Sequence, residues 1–488
     1  MRYDRFVRRH SDLFFAAVLA GAMLFVYWHL LGQPLLLDDV GLFHFLWLGR
    51  AVDAGHSVAL ILGRCALPVY FRPLAAPVFW ILYRLWGAAP LGYRLIMLAA
   101  AWASSLLVGK IAARLGGGPV AGRAAALLYA FSWVQWSGLT LVAGLAQSLS
   151  DVFFWTGLLV FLRDEDAGLA PGLALAAAAL LFKEHAIVWP LFALAAAGSG
   201  GSRKRLAFAG AALAAGYLVL RLAAPGLDFA AYTYIPRWDP AAVFQGTSAV
   251  LRALLESWTA RPSRMGAIRE TLAALALGAA AAATLLMPKS AASRSTPARA
   301  ARFALLGLGA GFLPYLAFPD ALDADSISRF SLAWGAAAVG LGTLLEIALE
   351  RSRARTPNLA AAIWIAAASL LFLKTAALFR RPDAARRVFM RWPLLAEARW
   401  LEGALAPAAS AAAAGDVFVF TGFRAADRAP WRFQLQAPRR VDAFGEEAPA
   451  GLAPGAWTVA LLRNDAGQEC LDVHPPSGSG WTNCREAL

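Results

Sequence analysis

Long apolar blocks recur along the whole chain, and they constrain its fold more than any other feature. Most of them approach the length of roughly 17–25 residues that an α-helix needs to cross the hydrocarbon core of a bilayer. The composition agrees, since 59% of the 488 residues are hydrophobic and only 16% are charged. Soluble domains carry about 25% charged residues. The sequence therefore predicts an all-α polytopic membrane protein.

We predict about 11 transmembrane helices from the lengths of these blocks. They lie at 13–32, 91–113, 120–137, 148–162, 168–182, 186–198, 205–224, 271–287, 303–319, 331–349 and 359–379. Basic residues gather in the loops assigned to the cytoplasm, such as 203–205, whereas the opposite loop 138–147 contains none. This asymmetry predicts a cytoplasmic N-terminus. It also explains the net charge of +14 as a set of topology signals, so nucleic acid is not an expected partner.

The predicted chain divides near residue 380. Residues 1–380 form the membrane domain, which has two long periplasmic loops at 33–90 and 225–270. In the first loop, the apolar stretch 74–86 is too short to span a bilayer, and we predict an interfacial or re-entrant helix there. Residues 381–488 carry short β-type runs at 416–421, 432–436 and 457–462, separated by turn residues, which predicts a small C-terminal α/β periplasmic domain.

The stretch 168–198 has two charged residues, Lys183 and Glu184, in its middle. A single helix through this stretch would bury both charges near the centre of the membrane, which is costly. It would also place the later basic loops outside. We therefore predict a tight hairpin that holds these two residues at the outer surface.

Two motifs in the first periplasmic loop carry reactive side chains. Asp38 and Asp39 follow the first span and could do acid–base work or hold a divalent cation; alternatively, they only stop the helix from sliding into lipid. Arg72 lies in Tyr70–Leu74, and its guanidinium suits a phosphate. The alternative for Arg72 is an arginine that snorkels towards lipid headgroups.

The predicted topology brings a second group of residues to the same face. Lys183 could present its ammonium to a lipid phosphate while Glu184 orients it, or the two charges could simply neutralise each other. Arg329 and Asp151 lie at the outer mouths of two spans, where snorkelling is the alternative for Arg329. We assign supporting roles to Asp151, Glu184 and His185. Carboxylates and cations beside lipid suit an acceptor activated by a carboxylate and a departing lipid phosphate.

The order of these features resembles the GT-C superfamily of integral-membrane glycosyltransferases. The likeness is greatest to bacterial relatives of the protein O-mannosyltransferases and of the aminoarabinose lipid A transferases. The matching features are an Asp pair after the first helix, Tyr-Phe-Arg-Pro-Leu at 70–74, a Lys-Glu hairpin at 183–184, and Arg-Phe at 329–330 opening a later helix. The resemblance covers about residues 1–380.

This resemblance implies a hexosyl- or pentosyltransferase that uses a polyprenyl-phosphate-sugar donor and inverts the anomeric carbon. Asp38 or Asp39 would act as the catalytic base, and both would hold Mg²⁺ or Mn²⁺ if the enzyme needs a metal. Arg72, Lys183 and Arg329 would bind the donor phosphate. The active site would face the periplasm of a bacterial inner membrane. The protein mannosyltransferases usually have Asp-Glu where this chain has Asp-Asp, so the acceptor class does not follow from them.

Three other functions fit the same sequence features, and one of them is a non-catalytic assembly protein whose tail recruits partners. A lipid or glycan transporter or flippase would be equally hydrophobic, although such proteins place ionisable residues deep in their spans. A ligase-type enzyme would transfer a whole glycan from a diphosphate lipid at the same face. In the tail, Cys470 and Cys484 form a disulfide if the tail is periplasmic, or remain two unpaired thiols.

Overall fold

The structure is a computed structural model. It describes residues 2–33, 35, 72–116, 118–198, 200–223, 240–241, 243–245, 296–315, 327–353, 391–411, 417–421, 442–444, 457–463, 469–475 and 481–485. Several predicted features lie outside the described residues: Asp38 and Asp39, the predicted spans 271–287 and 359–379, most of the loop 225–270, and a β-type run at 432–436.

Helices account for nearly all of the described part of residues 1–353. They are α1 (Arg2–Leu31), α2 (Ala75–Trp86), α3 (Pro90–Arg114), α4 (Pro119–Ala130), α5 (Trp133–Thr140), α6 (Leu145–Arg163), α7 (Leu169–Phe182), α8 (Trp189–Ala196), α9 (Gly200–Ala223), α10 (Thr296–Phe312) and α11 (Ser331–Arg353). Short 3₁₀ turns precede α6, α8 and α11 and follow α10. Both α3 and α4 begin with proline, whose fixed φ suits the first helical position and whose missing N–H costs nothing there.

Among the described residues, four helical stretches are long and apolar enough to cross a membrane: His10–Leu31, Pro90–Arg114, Val142–Arg163 and Ser202–Leu222. Two of them are central, because 56% of the apolar window of Pro90–Arg114 and 61% of that of Val142–Arg163 are buried inside the protein. The other two are more exposed, with 28% of the window of His10–Leu31 and 17% of that of Ser202–Leu222 buried. The chain is thus a multi-pass membrane protein, while the number of about 11 spans stays a prediction.

The predicted span 120–137 is wrong as a single helix, because the chain breaks it into α4 and α5 at Phe131 and Ser132. Ser132 takes an extended backbone conformation, and its side chain accepts a hydrogen bond from the N–H of Gln135. A serine that caps a new helix in this way competes with continuation of the preceding one. This local preference explains the interruption.

The predicted hairpin in 168–198 is confirmed. Lys183 has an extended backbone (φ −158°, ψ 135°) that ends α7, and a 3₁₀ turn at Glu184–Val188 leads into α8. The N–H of Gly198, after α8, donates to the Glu165 carboxylate, before α7, at 2.8 Å. The two helices therefore return the chain to the side on which it entered.

Small residues allow the central helices to pack closely. A Cβ placed on Gly109 of α3 would lie 2.5 Å from the carbonyl oxygen of Gly122 in α4, and one on Gly157 of α6 would lie 2.8 Å from that of Gly172 in α7. Both distances are too short for any larger residue. Such contacts are typical of helix pairs in membranes, where close van der Waals packing replaces the hydrophobic effect.

A buried carboxylate joins α11 to the start of α4. Glu346 of α11 accepts hydrogen bonds from the backbone N–H groups of Gly118 and Ala121, the latter at 2.9 Å. These N–H groups lack partners within α4 because they belong to its first turn. A negative charge at this position also interacts favourably with the helix dipole.

The C-terminal part contains α12 (Arg391–Ala411) and a five-stranded sheet. The strands are β1 (Val417–Thr421), β2 (Asp442–Phe444), β3 (Trp457–Arg463), β4 (Glu469–His474) and β5 (Trp481–Arg485), in the order β2-β1-β3-β4-β5. The pairs β1–β2 and β1–β3 are parallel, and β3–β4 and β4–β5 are antiparallel. Leu405 of α12 packs with Phe418 and Val459 in a core of its own. Cys470 is disulfide-bonded and lies opposite Cys484 in the β4–β5 ladder.

Candidate active site

The turn Lys183–His185, between α7 and α8, forms the centre of the candidate site. Each of its three side chains has a different partner. Lys183 binds Gln147, Glu184 binds Arg72, and His185 binds Asp151. Two of the partners lie one helical turn apart in α6, and the third precedes α2. Because three consecutive side chains are bound from two directions, the turn is held in one conformation.

Arg72 and Glu184 form a bidentate ion pair. Arg72 Nε donates to Glu184 Oε2 at 3.1 Å, and Arg72 Nη2 donates to Oε1 at 2.8 Å. The side chains retain 19% and 33% of their exposure, so the pair is shielded from solvent without being fully buried. The backbone carbonyl of Arg72 also accepts from the N–H of Ala75 at the start of α2, at 3.0 Å. The predicted short helix in the first loop is thereby tied to the Lys183–His185 turn.

The half-buried Lys183 ammonium is held by a neutral partner. Its Nζ donates to Gln147 Oε1 at 2.5 Å. Burial lowers the pKa of Lys183, and the positive charge of Arg72 lowers it further, against the opposing effect of Glu184 and with a smaller contribution from Arg329. The resulting pKa is about 7, compared with an ordinary value of 10.5. This lysine therefore changes charge near neutral pH.

Gln147 extends this contact to α11. Its Nε2 donates to Ser331 Oγ at 3.0 Å, and both side chains are buried. Ser331 is the first residue of α11 and follows Arg329 by two positions. Sequence reasoning missed both Gln147 and Ser331. The available signal was a glutamine one helical turn before Asp151 in α6.

Arg329 lies in a one-turn 3₁₀ helix, Ile327–Phe330, directly before α11. Its backbone carbonyl accepts a hydrogen bond from the Tyr315 hydroxyl at 3.2 Å. The next residue, Phe330, is fully buried and packs against the rings of Phe312 and Tyr315 at centroid distances of 4.8 and 5.1 Å. Phe330 thus anchors the segment, while the Arg329 side chain stays half-buried and near enough to Lys183 to affect its charge.

Asp151 and His185 form a buried polar network behind the turn. His185 Nε2 lies 2.9 Å from Asp151 Oδ1, and the Tyr129 hydroxyl donates to Asp151 Oδ2 at 3.3 Å. Trp155 Nε1 lies 3.4 Å from the Tyr129 oxygen and donates to it. Because the carboxylate accepts from Nε2, that nitrogen carries the proton. Asp151 therefore stabilises the turn through its contact with His185, in agreement with the supporting role expected of it. The contact with Tyr129 was not predicted from the sequence.

The structure brings together most of the residues selected from the sequence. They are Arg72, Lys183 and Arg329 among the phosphate-binding candidates, and Asp151, Glu184 and His185 among the supporting ones. The carboxylates Asp38 and Asp39 lie outside the described residues, and their catalytic and metal-binding roles stay predictions. Within the part of the chain that the structure describes, no three metal-ligating side chains form a group.

The charge of this site favours an anion. Arg72 and Lys183 lie beside the Glu184 carboxylate, and Arg329 lies near Lys183. Behind them, His185 and Tyr129 bind Asp151. Among the described residues, Glu184 pairs directly with Arg72, whereas the Lys183 ammonium is held by a neutral amide. Guanidinium and ammonium groups at the ends of apolar helices suit the phosphate of a lipid.

No protein-family model and no curated protein sequence matches this chain. Among solved structures, it is similar to crystal structures of ArnT from Cupriavidus metallidurans. One is bound to undecaprenyl phosphate, with a TM-score of 0.50, 14% identity and 92% coverage of both chains. The other is the apo state, with a TM-score of 0.50, 15% identity and 93% coverage of both chains.

A looser likeness extends to the oligosaccharyltransferase of Archaeoglobus fulgidus. Its apo crystal structure has a TM-score of 0.46 and 11% identity, with coverage of 92% of this chain and 69% of the other. The ArnT structures match nearly the full length of this chain. The chain shares the overall fold of the ArnT structures.

Proposed function

We propose that this protein is a membrane glycosyltransferase that moves a sugar from a polyprenyl-phosphate donor to an acceptor at the periplasmic face. The observation that carries the proposal is the convergence of Arg72, Lys183 and Arg329 on one turn at the ends of apolar helices. The ArnT structure that shares this fold binds undecaprenyl phosphate, a ligand of the same chemical class.

The cations act on the leaving group. Transfer breaks the bond between the anomeric carbon and the phosphate oxygen, and the bonding electrons stay with the phosphate. A phosphodiester with one negative charge becomes a phosphate monoester that can carry two. Lys183 and Arg329 stabilise this additional charge, because preorganised cations contribute most where charge develops in the transition state.

Arg72 contributes to the same site in a different way. Its two bonds to Glu184 fix the turn that carries Lys183, and its charge adds to the positive potential there. Glu184 thus orients the turn through Arg72. The Gln147 amide, rather than the Glu184 carboxylate, is the hydrogen-bond partner of the Lys183 ammonium among the described residues.

The acceptor side of the reaction rests on Asp38 or Asp39. An ordinary aspartate has a pKa of about 3.9 and is ionised at neutral pH, so it can take the proton from an acceptor hydroxyl or amine. The acceptor then attacks the anomeric carbon on the face opposite to the phosphate, which inverts that carbon. The products are the glycosylated acceptor, the polyprenyl phosphate and a proton held by the aspartate.

The direct test follows the release of polyprenyl phosphate. Purified protein is incubated with short-chain polyprenyl monophosphate sugars of several types and with a mixed extract of envelope acceptors, and free polyprenyl phosphate is measured. We expect release in the wild type and a loss of about 100-fold or more in Asp38→Asn or Asp39→Asn, the range of a missing general base. Release only from diphosphate-linked sugars would instead support the ligase alternative. Movement of intact donor across vesicles without release would support a flippase.

A further inference from the structure

We propose that Gln147 is a positioning residue for Lys183: its amide holds the ammonium at a fixed distance from the Arg329 segment without neutralising it. This inference rests on the proposed function, since the positioned ammonium is one of the groups that meet the donor phosphate. It assigns a role to a buried side chain that does not itself contact the substrate.

The hydrogen bonds around Gln147 have only one consistent direction. An ammonium can only donate, so it must bind the amide oxygen, and it does so at 2.5 Å. The amide nitrogen is then left to donate, and it reaches Ser331 Oγ at 3.0 Å. One planar group therefore sets the distance between Lys183 and the first residue of α11, two positions after Arg329.

The absence of charge on Gln147 matters as much as its shape. The nearby Arg72 is paired with a carboxylate, which offsets its charge. A glutamate in place of Gln147 would form the same kind of ion pair with Lys183 and would compete with an anionic ligand for it. The amide provides a hydrogen bond to the charged form of the lysine without that competition.

Several charged groups already set the balance around Lys183. Arg72 and Arg329 disfavour its protonated form, whereas Glu184 and Asp151 favour it. Burial has the largest effect and lowers the pKa of Lys183, and together with these charges it places that pKa at about 7. Any change in charge or hydrogen bonding at Gln147 must therefore appear as a shift in the pH at which the ammonium loses its proton.

The test measures the affinity of the full-length protein for a short-chain polyprenyl phosphate between pH 6 and pH 9. Wild-type affinity should decline above about pH 7, where Lys183 loses its proton. In Gln147→Glu the decline should move to higher pH, because the carboxylate stabilises the ammonium, and the affinity at pH 7 should fall by about tenfold. In Gln147→Leu the decline should move to lower pH, because a hydrogen bond to the charged form is lost.

Shifts in opposite directions separate positioning from a general structural effect, which would weaken binding without moving the pH of the decline. Thr343→Val is the matched control, since it removes a buried hydroxyl of α11 whose partner among the described residues is the carbonyl of Val339 in the same helix, at 2.9 Å. The inference about Gln147 would be overturned if both variants showed the same pH profile as the wild type, or if the affinity of the wild type did not depend on pH. Neither result would overturn the proposed function. Complete absence of wild-type binding would overturn the proposed function as well.

Discussion

The Arg72–Glu184 ion pair should contribute measurably to stability, because it joins the first loop to the Lys183–His185 turn. Exposed ion pairs contribute about 0–1 kcal/mol, and breaking a fully buried pair costs about 3–5 kcal/mol. The side chains here are 19% and 33% exposed and the pairing is bidentate, so we expect an intermediate coupling energy of about 1–3 kcal/mol.

A double-mutant cycle measures this coupling. The free energy of unfolding in detergent is measured for the wild type, Arg72→Met, Glu184→Gln and the double variant. The coupling energy is the difference between the effect of the double variant and the sum of the two single effects. The exposed pair of Arg205 and Asp166, whose side chains are 57% and 68% exposed, is the control and should show almost none. Additive effects at Arg72 and Glu184 would refute the structural role given to this pair.

Three further predictions concern charge, capping and the tail. Wild-type affinity for polyprenyl phosphate should fall by about fivefold from pH 7 to pH 8, because the anion binds the protonated form of Lys183, whose pKa is about 7. The affinity of Lys183→Arg, whose guanidinium stays charged, should not fall over the same pH range. Glu346→Ala should lower the free energy of unfolding by about 1–3 kcal/mol, because the N–H groups of Gly118 and Ala121 at the start of α4 lose the carboxylate oxygen that accepts from both. Thermal melts should show a smaller loss for Glu346→Gln, whose amide retains one acceptor oxygen. Cys470→Ser should make the tail more sensitive to protease, since loss of a disulfide typically costs about 2–4 kcal/mol; unchanged digestion would contradict this.

The membrane character and the hairpin were predictable because both follow from strong energetic constraints. A charged pair such as Lys183 and Glu184 is too costly at mid-membrane, and this cost, together with the positions of the later basic loops, indicated a turn there. The structure confirms the turn and also gives each charge a partner. The convergence of the two with Arg72 and Arg329 followed from the topology, since all four were predicted at one face.

The features that sequence reasoning missed depend on weaker or non-local signals. The break at Ser132 depends on a single capping hydrogen bond, which hydropathy does not detect. The role of Gln147 depends on Ser331, a residue 184 positions away. In the tail, β1 and β3 were predicted from apolar runs, but β4 and β5 were missed because charged and polar residues such as Asp472 and Asn483 interrupt them.

The central claim is that the cations at the Lys183–His185 turn bind a lipid phosphate. The most direct measurement is the thermal midpoint of the purified protein with and without short-chain polyprenyl phosphate, repeated for Lys183→Ala and Arg329→Ala. Lys204→Ala, which removes a basic residue assigned to the cytoplasmic side, is the control. At 100 times its dissociation constant the ligand should add about 2.7 kcal/mol of stability. We predict that the ligand raises the thermal midpoint of the wild type and of the control but not of the two site variants. An equal rise of the midpoint in all four proteins, or no rise in the wild type, would contradict the claim.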